Sequence, residues 1–292
     1  MEVTQKGTVI KLTTPEKFQK LAFISDVHID SMDCDRKLFV QHLENCKKED
    51  RKICIIGDLF DLMGGRYDPR RSLHGLNTEL LRRCQDEDID YINAVVLDAL
   101  DVLKPYSDQI LFISYGNHET SVKRNNDIDP IYLLITQLNL TCKTNIIRGQ
   151  YEGWFIVNFK RNQKGSGEYS NKFNVKYHHG YGGLARRSKG VLEHDIDFRN
   201  YPSADMIVKG DNHQKIFDPG NKREALDRND NVIFKDGFAL RTGTYAQKTK
   251  AGFGWVVQKG FSPVKLGGWA VDLKIRRNGN GAVERDVKVF EL

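Results

Sequence analysis

Five short clusters constrain this chain more than any other feature, because each falls where an apolar run stops. They are Asp26-Val27-His28, Gly57-Asp58, Gly116-Asn117-His118-Glu119, His178-His179-Gly180 and Gly210-Asp211-Asn212-His213. The runs before them are Lys20–Ser25, Ile53–Ile56, Ile110–Ser114, Asn174–Tyr177 and Met206–Val208. Short stretches rich in β-branched residues and ended by Gly or Asp predict buried strands. Between them Leu38, Phe39, His42, Leu43 and Cys46 recur at helical spacing, as do Val95, Val96, Ala99, Leu100 and Leu103, and Pro130 opens a third helical pattern. Alternating strands and helices predict α/β layers, with ligands gathered at the carboxyl ends of strands. Every cluster offers carboxylate, amide or imidazole donors of the kind that hold divalent cations. One Asp-x-His or Gly-Asp is ordinary turn chemistry. Five clusters in series, holding five of the eight histidines, describe a metal site at one sheet edge and point to a two-metal hydrolase.

Composition narrows the class. Of 292 residues, 39% are hydrophobic and 29% charged, which excludes a disordered chain. No apolar stretch approaches the roughly 18 residues of a membrane span, so no membrane partner is expected. The opening Met-Glu-Val-Thr-Gln-Lys lacks the plan of a secretory signal, and a cytoplasmic location is expected. The five cysteines show no metal or disulfide spacing. From about residue 204 the helical signal fades, and Ile216-Phe217, Val232–Phe234, Phe238–Leu240, Trp269–Ile275 and Val287–Phe290 read as strands of a second sheet. Gln163–Ser170 and Lys222–Asp230 are polar and read as surface loops. With no linker in sight, residues 1–292 are expected to form one domain, its motif core at about 20–215 and its second-sheet strands at about 216–292.

The order Asp-x-His, Gly-Asp-x-x-Asp, Gly-Asn-His-Glu, His-Gly, Gly-x-x-His resembles the calcineurin-like metallophosphoesterase superfamily, and in general look its phage- and prokaryote-type, nuclease-like members. The resemblance implies a four-layer α-β-β-α sandwich of two mixed sheets flanked by helices. It also implies two divalent ions, about 3.5–4 Å apart, that neutralise a phosphate ester, lower the pKa of a shared water and hold an in-line geometry. Carried over residue by residue, Asp58 would bridge the ions, Asp26, His28 and His213 would complete one, and Asn117 and His179 the other. The family places its ligand directly before the glycine, which favours His179 over His178. His118 would face the leaving group as general acid. Glu119 and Asp61 read as hydrogen-bonding or capping residues, His42 as core and His194 as surface. The family's last block is usually Gly-His-x-His, whereas here Asp211 replaces the first imidazole. A carboxylate there is a harder ligand, which tilts the expected ion from zinc to manganese, with magnesium and iron(II) as further alternatives.

Basic residues follow the same strand ends: Arg66, Arg70 and Arg71, then Lys123 and Arg124, then Arg186, Arg187 and Lys189, then Lys215. Any one run is ordinary solvated charge. Together they suggest a rim around the metals for a phosphate-rich substrate, nucleic acid or nucleotide, with Arg70, Arg71, Arg186, Arg187 and Lys189 as its contacts. Tyr67, Tyr181 and Tyr245 lie nearby and could stack on bases. The expected function is therefore a nuclease-like phosphodiesterase. The alternatives on the same fold are a phosphomonoesterase or phosphoprotein phosphatase, and a non-catalytic scaffold. Oligomeric state leaves no trace in the sequence.

Overall fold

A computed structural model describes residues 1–62, 77–163, 167–181, 190–226, 230–247, 263–277 and 283–292. In chain order the elements are β1 (Glu2–Lys6), β2 (Val9–Thr14), β3 (Phe18–Ile24), α1 (Arg36–Lys48), β4 (Lys52–Ile56), α2 (Thr78–Glu87), α3 (Tyr91–Leu103), β5 (Ile110–Ser114), α4 (Asn117–Asn126), α5 (Pro130–Cys142), β6 (Ile147–Arg148), β7 (Glu152–Gln163), β8 (Gly167–His178), α6 (Leu192–Asn200), β9 (Met206–Lys209), β10 (Ile216–Leu226), β11 (Val232–Arg241), β12 (Trp269–Arg277) and β13 (Val283–Glu291). They form two mixed sheets, one ordered β13-β12-β3-β4-β5-β6 and the other β1-β2-β7-β8-β9-β11-β10.

Strand alternation explains the layering. On β3, Ala22 and Ile24 face the helices, packing with Phe39 and Leu43 of α1, Val95 and Ala99 of α3, and Leu134 and Leu138 of α5. Leu21 and Phe23 face the other way. With Cys54, Ile56 and Phe112 they meet Phe155, Val157, Val175, Tyr177, Met206 and Val208 of the second sheet. The outer face of that sheet carries α6, whose Phe198 packs on Ala204, Ile207 and Ala239. The result is the four-layer α-β-β-α arrangement. β4 and β5 are buried at every position, as strands covered on both faces must be.

Three readings of the sequence need correction. β12 and β13 join the first sheet, β12 pairing antiparallel with β3, so only β10 and β11 of the C-terminal strands extend the second. The remainder of the second sheet comes from β1, β2, β7, β8 and β9. β3 is largely buried and needs a neighbour on each side, and hydrophobic period does not say which strand supplies it. The polar stretches within 163–170 and 222–230 belong largely to the β7–β8 and β10–β11 hairpins. β10 alternates half-buried and exposed positions over 221–226, but Asn221 and Arg223 are among the half-buried ones and Leu226 is exposed, so the apolar alternation that marks a half-buried strand is missing from the sequence. His194 is buried, its Nδ1 3.1 Å from Asp218 Oδ2, and Arg241 Nε donates to its Nε2.

Candidate metal centre

All five clusters converge. β3, β4 and β5 run parallel in one sheet, β8 and β9 run parallel in the other, and their carboxyl ends meet. Asp26, His28 and His213 present donor atoms within 4.8 Å of one another, and so do Asp26, Asp58 and His179. His28, Asp61 and His118 form a third such group. His213 Nε2 is 3.3 Å from Asp26 Oδ1, and His179 Nε2 is 3.3 Å from Asp58 Oδ2.

The backbone is bent to bring them there. Asp26, His28, Asp58, Asp211 and His213 all have positive φ, between 48° and 65°. Non-glycine residues avoid this region, and each costs about 1–3 kcal/mol unless its surroundings hold it. Gly57, at φ +75°, leaves room that only glycine can, since a Cβ there would strike the His179 ring. A Cβ on Gly116 would enter the Asp58 carboxylate.

Side-chain orientation leaves lone pairs facing inward. His179 is fully buried and its Nδ1 meets the Ile56 carbonyl at 2.9 Å, so Nε2 is the nitrogen turned to Asp58. His178 turns away, its Nδ1 accepting from Gly180 N–H and its ring edge-on to Tyr151. Asn117, the first residue of α4, points its amide oxygen at His179 Nε2, 3.2 Å away. The same oxygen lies 2.7 Å from Asp58 Oδ2. Two oxygens that close, with no proton to share, require a cation between them or an amide turned over to donate. Asp211 Oδ1 is 3.9 Å from His179 Nε2, while its buried Oδ2 has no hydrogen-bond partner. Burial raises the Asp211 carboxyl above its ordinary value, and Asp26 and Asp58 add to that. Burial also works against charge on Asp58, but the imidazoles of His179 and His118 hold its carboxyl well below the usual range. Burial opposes a charged His179 as well, yet Asp58 pushes that imidazole up to about 10. Carboxylates converging on imidazole and amide donors, with an orphaned buried oxygen, fit divalent cations.

Two flanking acids have definite tasks. Glu119 accepts the N–H groups of Asp58, Phe60 and Gly116, tying the exit of β4 to the start of α4. Burial and the Asp58 charge push it up to about 7. The Asp61 carbonyl lies 2.5 Å from His118 Nδ1, and its carboxylate is 3.1 Å from His28 Nδ1. His118 Nε2 then faces the site, 3.8 Å from Asp58 Oδ2. Asp30 in turn receives the N–H groups of Asp61 and Leu62.

The expected basic rim is only partly in view. Arg66, Arg70, Arg71, Arg186, Arg187 and Lys189, with Tyr67, lie outside the described residues. Lys123 and Arg124 are exposed, and Lys123 pairs with Asp129. Lys215 does not belong to a rim, because it is buried beside Trp269 and pairs with Glu291. Tyr245 is fully buried against Phe39 and His42 and cannot stack on a base. Tyr181 is 63% exposed beside His178. Sequence reading missed Ser25, Asp30, Tyr151, Thr242 and Thr244. The Thr242-Gly-Thr-Tyr245 stretch, a polar break after the apolar Phe238–Leu240, carried the same signal as the five clusters.

No family model and no curated protein matches this sequence. Several solved structures align with this chain at low similarity. Vps29 from Entamoeba histolytica complexed with Zn2+ aligns over 93% of this chain and 99% of its own, at 9% identity and a TM-score of 0.36. Chaetomium thermophilum Vps29 aligns over 94% and 97%, at 11% identity and a TM-score of 0.35. An uncharacterized Streptococcus pneumoniae protein, described as a predicted phosphoesterase, aligns over 93% and 98%, at 9% identity and a TM-score of 0.33. Likenesses this remote leave the functional reading to rest on the residues of this chain. No helix among the described residues is long and apolar enough to cross a membrane.

Proposed function

We propose that this protein is a binuclear metal-dependent phosphoester hydrolase that acts on phosphodiesters of nucleic acid or nucleotides. The observation that carries the reading is the convergence of carboxylate, amide and imidazole groups around Asp58, with His118 Nε2 beside them. Asp26, His28 and His213 would hold one cation, Asn117, His179 and Asp211 the other, with Asp58 between the two. Bound there, the cations would neutralise the phosphate and lower the pKa of a water. The chain's own residues supply orientation and a proton. His118 Nδ1–H donates to the Asp61 carbonyl and directs Nε2 into the site, and in its imidazolium form the ring can pass the Nε2 proton to the departing ester oxygen and return to the neutral Nδ1–H form. Manganese suits the oxygen-rich donor set.

A binding platform on the same fold could keep its cations but would have no use for a histidine braced in this way. The choice of diester rests on the exposed Tyr181 beside His178 and on the basic residues that follow the second and fourth clusters in the sequence. Hydrolysis of bis(p-nitrophenyl) phosphate and of p-nitrophenyl phosphate, each with Mn2+, tests it. The diester is expected to be the better substrate. Preference for the monoester would make the protein a phosphomonoesterase, and failure on both would remove the enzyme reading.

A further inference from the structure

Asp26 is the most heavily braced of the candidate ligands, and the brace comes from distant parts of the chain. Its carbonyl accepts from Thr244 Oγ1 and from Tyr245 N–H, at 2.8 Å and 3.0 Å. Its Oδ2 accepts a very short hydrogen bond from the Ser25 hydroxyl and another, at 3.0 Å, from Asp211 N–H. Ser25 Oγ lies 2.6 Å from Thr242 Oγ1, and Thr242 Oγ1 is 3.0 Å from the Lys209 carbonyl. Ser25 and Thr242 are both fully buried. The backbone of Gly210 presses on the same point, since a Cβ there would lie 2.5 Å from Ser25 Oγ.

Proton counting sets the direction of this chain. An ionised carboxylate only accepts, so the Ser25 proton goes to Asp26. Thr242 has one proton for two acceptors, the Lys209 carbonyl at 3.0 Å and the lone pair of Ser25 at 2.6 Å, and a three-centre hydrogen bond can serve both. A row of hydroxyls thus links the Lys209 carbonyl and the end of β11, in the second sheet, to the first sheet's Asp26. It occupies Oδ2 and leaves Oδ1, which has no hydrogen bond, turned to His213. Thr244 and Tyr245, bonded to the Asp26 carbonyl, brace its left-handed backbone.

We propose that Ser25 and Thr242 are positioning residues that fix the Asp26 carboxylate and so set the affinity of the cation position formed by Asp26, His28 and His213. This rests on the binuclear reading above. Partners that orient a ligand typically contribute 10–100-fold in metal affinity. The test is calorimetric titration of the metal-stripped full chain with Mn2+, for the parent and for Ser25→Ala, Thr242→Val and Thr242→Ser. The parent is expected to take up two ions. Ser25→Ala should bind one of them roughly 10–100-fold more weakly and leave the other unchanged. Thr242→Val, equal in shape but without the hydroxyl, should lose affinity in the same direction, and Thr242→Ser should restore it. If Ser25→Ala does not fold, the Thr242 pair decides alone. Parental affinities in both Ser25→Ala and Thr242→Val would overturn the inference and leave the proposed function standing. Equal weakening in Thr242→Val and Thr242→Ser would overturn it too, by tracing the effect to shape. A parent that binds no Mn2+ would overturn the proposed function, and this inference with it.

Discussion

At the residue scale, Asp211 and His118 separate what a position offers from what a motif promises. Asp211 offers a carboxylate where the sequence resemblance leads one to expect an imidazole, and its buried Oδ2 lacks a partner while Oδ1 turns to His179. If that oxygen serves a cation, Asp211→Ala should weaken the ion shared with Asn117 and His179 and spare the other. Asp211→His should keep two ions and shift preference toward zinc. Metal titration of the variants checks both, and unchanged affinity in Asp211→Ala would make the residue structural. His118→Ala should cut turnover roughly 10²–10⁴-fold with metal content intact, and least for esters with good leaving groups. Loss of an ion instead would make His118 a ligand.

At the level of elements, the strand-end loops concentrate backbone strain, and glycines make the close approaches possible. Gly57→Ala should destabilise the protein by about 2 kcal/mol or more and disturb His179, because the new methyl meets that ring at an already left-handed position. Denaturant unfolding measures this, and an unchanged midpoint would contradict it. α1 carries a second test. Burial, with Lys215 close by, pushes the His42 imidazole down to about 4, and its Nδ1 is 2.9 Å from the Tyr245 hydroxyl. The folded state therefore binds fewer protons than the unfolded chain, whose histidine titrates near 6.5. This contribution is complete above about pH 6.5 and is lost as the pH falls toward 4, on the order of 3 kcal/mol in all. His42→Gln should lose less stability than the parent between pH 7 and pH 5, and equal losses would contradict the assignment.

These elements also show what sequence could and could not tell. β3, β4, β5 and β9 were legible because a strand covered on both faces must be apolar throughout, and its end must turn. His42 on the face of α1 was legible from period alone. His194 was not, because its hydrogen-bond partners, Asp218 and Arg241, come from strands 24 and 47 residues away. The position of β12 beside β3 was hidden for the same reason, since pairing is a property of two segments. Thr242 sits in a polar break after an apolar run, but its pairing with Ser25, 217 residues away, shows only in the fold.

For the whole molecule, the site sits at one edge of two sheets whose inner faces share an apolar core. Three carboxylates, those of Asp26, Asp58 and Asp211, gather at this seam, and cations there should tie the sheets together. Saturating Mn2+ should therefore raise the melting temperature over that of chelated protein, since a ligand at about 100 times its Kd adds about 2.7 kcal/mol. A melting temperature indifferent to chelation would argue against ions at the seam. The most direct measurement is hydrolysis of bis(p-nitrophenyl) phosphate by metal-stripped protein as Mn2+ is added back. Activity should be absent at the start, rise with added metal and level off at two ions per chain. Full activity in excess chelator, or none at any Mn2+ loading, would contradict a metal-dependent phosphodiesterase.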